Sequence, residues 1–286
     1  MIEDHGISDW VDHAPDENER GFREAVHTIL SSIASDPDLK ANMVIKGGIL
    51  LAVRYQSHRY TKDIDFSTTQ KLTDINPDDI EEALNKAFKK TAAKLDYDMD
   101  CLIQSCKVQP ANKPDASFPS VKISVGYARK GSKEHPRLLV KKCSRCVSID
   151  YSLNELMPNI EKISISDEEE LIAYTLTDLI AEKLRSMLQQ KKRNRARRQD
   201  IFDLVLLLDK YPSLDDEEKQ EIFKSLIDKS KSRDVNPDIN SLDDPEIRER
   251  AEKDYPTLAD EIEGELPDFD QTYDTVNDFY KSLSWK

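Results

Sequence analysis

Lys46-Gly47-Gly48-Ile49-Leu50-Leu51 and, with fourteen residues intervening after Gly48, Asp63-Ile64-Asp65-Phe66 form the stretch on which the reading of this chain turns. Side chains alternate along a strand, so Asp63 and Asp65 point to one face and can share a hard divalent cation. Mg²⁺ (or Mn²⁺) takes oxygen ligands and is usually held by one or two carboxylates together with substrate phosphates. Glycines let backbone approach phosphate closely, and the apolar Ile49-Leu50-Leu51-Ala52-Val53 suits a helix whose free N–H groups favour an anion. The pattern reads as a site for a nucleoside triphosphate and its metal. A lone Asp-x-Asp says little in a chain with 56 acids among 286 residues. The ordered set says more: apolar Met43-Val44-Ile45 before the glycines, then Arg59 and Thr61 before the acids.

Outward from this stretch, periodicity assigns the neighbours. Phe22, Val26, Ile29, Leu30 and Ile33 recur at helical steps within Asp16 to Ser35, as do Ile80, Leu84, Ala87, Phe88 and Ala92 within Pro77 to Leu95. Residues 1 to 17 are polar and read as a loose entry. From Asp98 to Val108, Ser120 to Tyr127 and Arg137 to Tyr151 the apolar residues alternate and β-branched residues are common, which predicts strands, with Gly131-Ser132 as a hairpin tip. Val147-Ser148-Ile149-Asp150-Tyr151 sets a single acid in an apolar strand end. Asp150 is either a third metal ligand or a cap on the following turn, with Glu155 as the alternative acid.

After Pro158 the pattern reads as helical to the C-terminus, with Ser166-Asp167-Glu168-Glu169 as a helix start. Lys183 falls on the apolar stripe of Leu176, Ile180 and Met187 between Leu171 and Gln190. It needs an acid or a phosphate opposite unless it snorkels along the helix edge. Residues 191 to 199 read as a loop. Asp200 and Asp203 head the apolar helix Gln199 to Tyr211 and share a face, where they can pair with Lys183 or Arg198, orient a nucleotide, or, for Asp200, cap the helix. Phe269, Tyr273, Val276, Phe279, Tyr280 and Leu283 give a last helix with an aromatic face.

Four segments together resemble the AbiEii-type nucleotidyltransferase toxins of the polymerase-β-like superfamily: Lys46 to Leu51, Arg59 to Ser67, Ile180-Ala181-Glu182-Lys183-Leu184, and Asp200-Ile201-Phe202-Asp203-Leu204. The resemblance spans roughly residues 40 to 210. It implies an α+β fold: a nucleotidyltransferase-fold domain over residues 1–157, with a mixed, twisted sheet flanked by helices, then a helical domain over 158–286 that completes the nucleotide site. It further implies metal ligation by Asp63, Asp65 and Asp150, catalysis by these and Lys183, and nucleotide binding by Lys46, Gly47, Gly48, Arg59, Thr61, Ser67, Lys183 and Asp200. The family motif reads Arg-Asp before Asp203, whereas here Gln199 precedes Asp200 and Arg198 stands one place earlier. The implied activity is Mg²⁺-dependent transfer of a nucleoside monophosphate from an NTP to an acceptor hydroxyl on RNA, such as the tRNA 3′ end. The implied setting is a toxin–antitoxin or phage-defence pair with the cognate antitoxin encoded nearby. A protein or small-molecule acceptor, or a binding module that keeps the pocket without chemistry, are the alternatives.

Charge distribution qualifies the RNA expectation. The net charge is −14, but residues 212–286 alone carry −12. Lys183 to Arg198 holds eight basic residues and no acid, either a phosphate-binding surface or a solvated helix end. Cys101, Cys106, Cys143 and Cys146 have a spacing that a four-thiolate zinc site would accept, although nothing in the resemblance calls for zinc. No apolar run approaches the roughly 20 residues that span a bilayer, and the N-terminus lacks a signal pattern, so no membrane partner and a cytoplasmic location are expected.

Overall fold

The chain enters through two helices, α1 (Ile7–Asp12) and α2 (Glu17–Ser35). The computed structural model describes residues 6–111 and 116–285 and divides into two compact units: one holds the chain up to Gln56 and again Thr61–Ala173, the other holds Ser57–Tyr60 and the chain from Tyr174. Where a loose entry was expected, Ile7 and Val11 of α1 are buried almost completely, since apolar residues four apart give even a short helix a face to pack. The Asp16 carboxylate caps α2 by accepting from the backbone N–H groups of Asn18 and Glu19.

In the first unit follow α3 (Pro37–Asn42), β1 (Val44–Lys46), α4 (Gly47–Tyr55), β2 (Asp63–Ser67), α5 (Pro77–Thr91), β3 (Met99–Gln109), β4 (Ser120–Arg129), α6 (His135–Leu139), β5 (Cys146–Ser152), β6 (Ile160–Ser166) and β7 (Glu169–Tyr174). The strands form one mixed sheet in the order β3-β4-β5-β2-β1-β7-β6. β2 pairs in parallel with β5 and antiparallel with β1, while β4 runs antiparallel to both β3 and β5. Ile64, Phe66, Ile103, Val121, Ile123, Val125, Val147 and Ile149 are all buried on one face, which α2 and α5 cover. The intervening residues Asp63 and Asp65 of β2, Ser148, Asp150 and Ser152 of β5, and Ser120, Lys122 and Ser124 of β4 make this part of the opposite face polar.

Three expectations in this unit need correction. His135–Leu139 is helical rather than the start of a long strand, because Pro136 presets the backbone dihedral of a first helical turn and removes a ladder donor. Gly131 (φ 74°) therefore turns the chain from β4 into α6, and is not a hairpin tip. Ser166 and Glu169 bound a turn between two strands, not a helix start. Ile163, Ile165, Leu171 and Ala173 alternate into the core, and Ala173 pairs in parallel with Ile45 of β1; that burial outweighs the helix-start character of the acids.

The second unit is helical: α7 (Leu176–Leu188), α8 (Gln190–Arg193), α9 (Arg198–Lys210), α10 (Asp216–Ser232), α11 (Pro245–Glu252) and α12 (Phe269–Lys281). The expected loop at 191–199 thus begins with a helical turn. Helix α7 packs on α9 and α10, and α12 docks its aromatic face as expected: Tyr273 donates to the carbonyl of Leu242 and Tyr280 to that of Asp238. Among the described residues no helix is long and apolar enough to cross a membrane.

Candidate active site

Strand register gathers the acids of the first unit. Asp65 on β2 lies opposite Asp150 on the parallel β5, and on its other side opposite Lys46 on β1. Asp150 in turn faces Lys122 on β4, which faces Lys107 on β3. One row across the sheet therefore reads Lys46, Asp65, Asp150, Lys122, Lys107. The row beside it reads Asp63, Ser148, Ser124, Ser105. A strand period of two puts both rows on the polar face.

The diglycine meets this row at Asp65. Gly47 adopts φ 72°, and a Cβ there would stand 2.1 Å from Asp65 Oδ2; a Cβ on Gly48 would stand 2.8 Å from Thr61 Oγ1. Glycine is required at 47 both for the left-handed backbone and for this approach. Helix α4 begins at Gly47, and its N-cap residue Lys46 makes no side-chain cap; a helix N-terminus of this kind favours an anion. Ser67, expected near the nucleotide, is fully buried at the end of β2.

Burial, with Asp150 and Asp63 nearby, pushes the Asp65 carboxyl up to about 6, even though Lys46 and Lys122 pull it down. Lys122 Nζ donates to Asp150 Oδ2 at 2.7 Å, while Asp150 Oδ1 is buried and receives no hydrogen bond from the described residues. Among those residues no three His, Cys, Asp or Glu side chains are already gathered around a metal position. The donor set nonetheless fits a hard cation: hard oxygen donors on adjacent strands and an orphaned carboxylate oxygen at Asp150. Sequence reasoning missed Lys122. Its signal was a lysine inside the alternation Ser120-Val121-Lys122-Ile123-Ser124, but only the strand pairing reveals what it faces.

The other expected site residues belong to the second unit, where they meet around Asp203. Arg59 clasps that carboxylate with two hydrogen bonds, Nε to Oδ1 at 2.8 Å and Nη2 to Oδ2 at 2.9 Å. Lys183 Nζ lies 2.6 Å from Asp203 Oδ2 and 3.3 Å from Asp200 Oδ1. Burial alone would raise the Asp203 carboxyl, yet Lys183 and Arg59 outweigh it and hold it down to about 2. The counter-charge that a stripe lysine demanded is thus Asp203, with Asp200 beside it. Arg198, by contrast, pairs with Glu261 at 2.5 Å.

The acidic C-terminal region has a place as well. Lys191 pairs with Asp244 and Glu246, and Lys192 with Asp234, so these acids neutralise part of the basic stretch within one unit. The four cysteines are free thiols, Cys101 buried in β3 and Cys146 exposed, and among the described residues they join no group of three or more metal-binding side chains.

A family model described as "Nucleotidyl transferase AbiEii toxin, Type IV TA system" matches residues 28–275. No curated protein matches the chain. Among solved structures, a candidate nucleotidyltransferase from Helicobacter pylori is similar with a TM-score of 0.51 at 15% identity, over 93% of this chain and 94% of that one. JHP933 from the same organism is similar with the same TM-score and identity, over 93% and 91%. At that identity the two structures support the fold.

Proposed function

Because the chain belongs to the AbiEii nucleotidyltransferase toxin family of type IV toxin–antitoxin systems, we propose that it transfers a nucleoside monophosphate from an NTP to a hydroxyl on RNA, the tRNA 3′ end being the family-implied acceptor. The observation that carries this reading is Asp65 opposite Asp150 on paired strands, against the Gly47 backbone. Asp63, Asp65 and Asp150 would hold Mg²⁺ or Mn²⁺. When bound, the ion supplies charge stabilisation for the transferring phosphoryl group and the leaving pyrophosphate.

The chain's own residues do the rest. Gly47 and Gly48 let the backbone and the N-terminus of α4 approach the triphosphate, with Lys46 neutralising charge on that side and Thr61 packed against Gly48. Asp150, whose Oδ1 is buried and receives no hydrogen bond from the described residues, would besides ligating the ion help to take the proton of the attacking hydroxyl. Arg59, Lys183 and Asp200 enter as nucleotide-side residues on the family motif alone. Within their unit, Arg59 and Lys183 are already held by Asp203. The biological setting that goes with this reading is a cytoplasmic toxin restrained by a cognate antitoxin encoded nearby and used in phage defence.

Incubation of the full chain with α-labelled NTPs, Mg²⁺ and total RNA tests the reading. Label should enter RNA with the wild type and be lost in Asp65→Ala. Nucleotide binding without transfer to RNA, protein or a small molecule would overturn it, and label on protein alone would move the acceptor.

A further inference from the structure

The row Lys46, Asp65, Asp150, Lys122, Lys107 has a direction. Lys46 and the glycine turn sit on one side of the acid pair, and Lys122 and Lys107 on the other. In an in-line displacement the leaving group and the acceptor lie on opposite sides of the transferring phosphorus. If the glycine turn faces the triphosphate, the β4–β3 side faces the acceptor.

That side is cationic and open. The Lys122 side chain is 45% exposed, Lys107 on the neighbouring strand is exposed too, and Ser148, Ser124 and Ser105 floor the adjacent row. A neutral acceptor has no use for two ammonium groups there; the phosphodiesters flanking an RNA hydroxyl do. Yet Lys122 is not idle: it spends its charge on Asp150 Oδ2 at 2.7 Å, the oxygen of a proposed metal ligand.

Resting on the nucleotidyltransferase reading, we infer that Lys122 is a partner-exchanging positioning residue, neutralising Asp150 until acceptor binds and then moving to an acceptor phosphate. An ammonium on Asp150 opposes a divalent cation at the same carboxylate. Its departure to a phosphate makes the carboxylate available, so metal and acceptor favour each other's binding. That mutual preference is a coupling free energy and must be reciprocal. Lys107 has no contact with Asp150 and serves only as a phosphate contact.

The experiment uses the full chain freed of metal by EDTA, without NTP. Affinity for a 5′-labelled single-stranded RNA dodecamer is measured against salt, and Mn²⁺ binding by electron paramagnetic resonance with and without that RNA. Lys122→Gln should weaken RNA binding about fivefold at 0.1 M salt and flatten the salt slope by about 0.7, the share of one single-strand phosphate contact. It should also tighten Mn²⁺ binding in the absence of RNA and abolish most of the Mn²⁺–RNA coupling, which Lys122→Arg should retain. Lys107→Gln should flatten the salt slope equally and leave the coupling intact. Weaker RNA binding with unchanged Mn²⁺ affinity and coupling in Lys122→Gln would reduce Lys122 to an ordinary phosphate contact and overturn the exchange, as would no change at all. Since no nucleotide is present, failure of the transferase reading shows separately, as absence of label transfer by the wild type.

Discussion

Gly47→Ala isolates the contact on which the site depends. The substitution imposes two costs. A non-glycine residue at φ 72° pays roughly 1–2 kcal/mol of backbone strain. The new Cβ also lands 2.1 Å from Asp65 Oδ2, so restoring even a 3.0 Å contact moves that oxygen by about 1 Å. A misplacement of that size near reacting groups is worth on the order of 100-fold in rate. Gly131→Ala supplies the control, because Gly131 has nearly the same dihedral (φ 74°) and nothing within 4 Å of its would-be Cβ. Gly131→Ala should lose about 1–2 kcal/mol in urea unfolding and Gly47→Ala at least as much, while only Gly47→Ala loses nucleotidyl transfer, by about two orders of magnitude. Activity of Gly47→Ala within threefold of Gly131→Ala would refute the reasoning, since the Asp65 approach would then carry no function.

Three further outcomes are expected. Asp203→Asn leaves Arg59 and Lys183 buried without their shared carboxylate and should cost about 3–5 kcal/mol in chemical denaturation; a loss under 1 kcal/mol would show that the cluster is not a structural tie. Burial holds the His27 imidazole down at about 4, beside the Tyr97 hydroxyl at 2.6 Å. The unfolded chain takes up a proton near 6.5 that the folded one refuses until about 4, so stability is full above 6.5 and fades as pH falls through that window, by about 3 kcal/mol at most. His27→Gln should flatten this slope, and an unchanged slope would assign the acid sensitivity elsewhere. Mg²⁺ at 100 times its dissociation constant should add about 2.7 kcal/mol to the wild type by linkage and nothing to Asp65→Asn; equal gains would place the metal away from Asp65.

Strand β2 was legible because its pattern is local. Asp63 and Asp65 alternate with Ile64 and Phe66, and period two alone puts them on one face. Helices α2, α5 and α12 were legible for the same reason, each carrying a stripe of apolar residues at helical steps. What escaped was set by pairing between distant segments. Lys122 gains its meaning only from the register that lays it beside Asp150, 28 residues on. Asp167 and Glu168 look like a first helical turn, yet Ile163, Ile165, Leu171 and Ala173 drive β6 and β7 into the sheet. Lys183 to Arg198 reads from sequence as either a phosphate-binding surface or a solvated helix end, because the acids that pair with Lys191, Lys192 and Arg198 lie about 40 to 60 residues further on.

Anomalous diffraction from crystals of the chain grown with Mn²⁺ and a non-hydrolysable NTP bears most directly on the central claim. A manganese peak within about 2.3 Å of carboxylate oxygens from both Asp65 and Asp150, with the triphosphate against Gly47, is the expected result. A peak bound elsewhere, or a nucleotide ordered with no manganese at the β2–β5 acids, would contradict it.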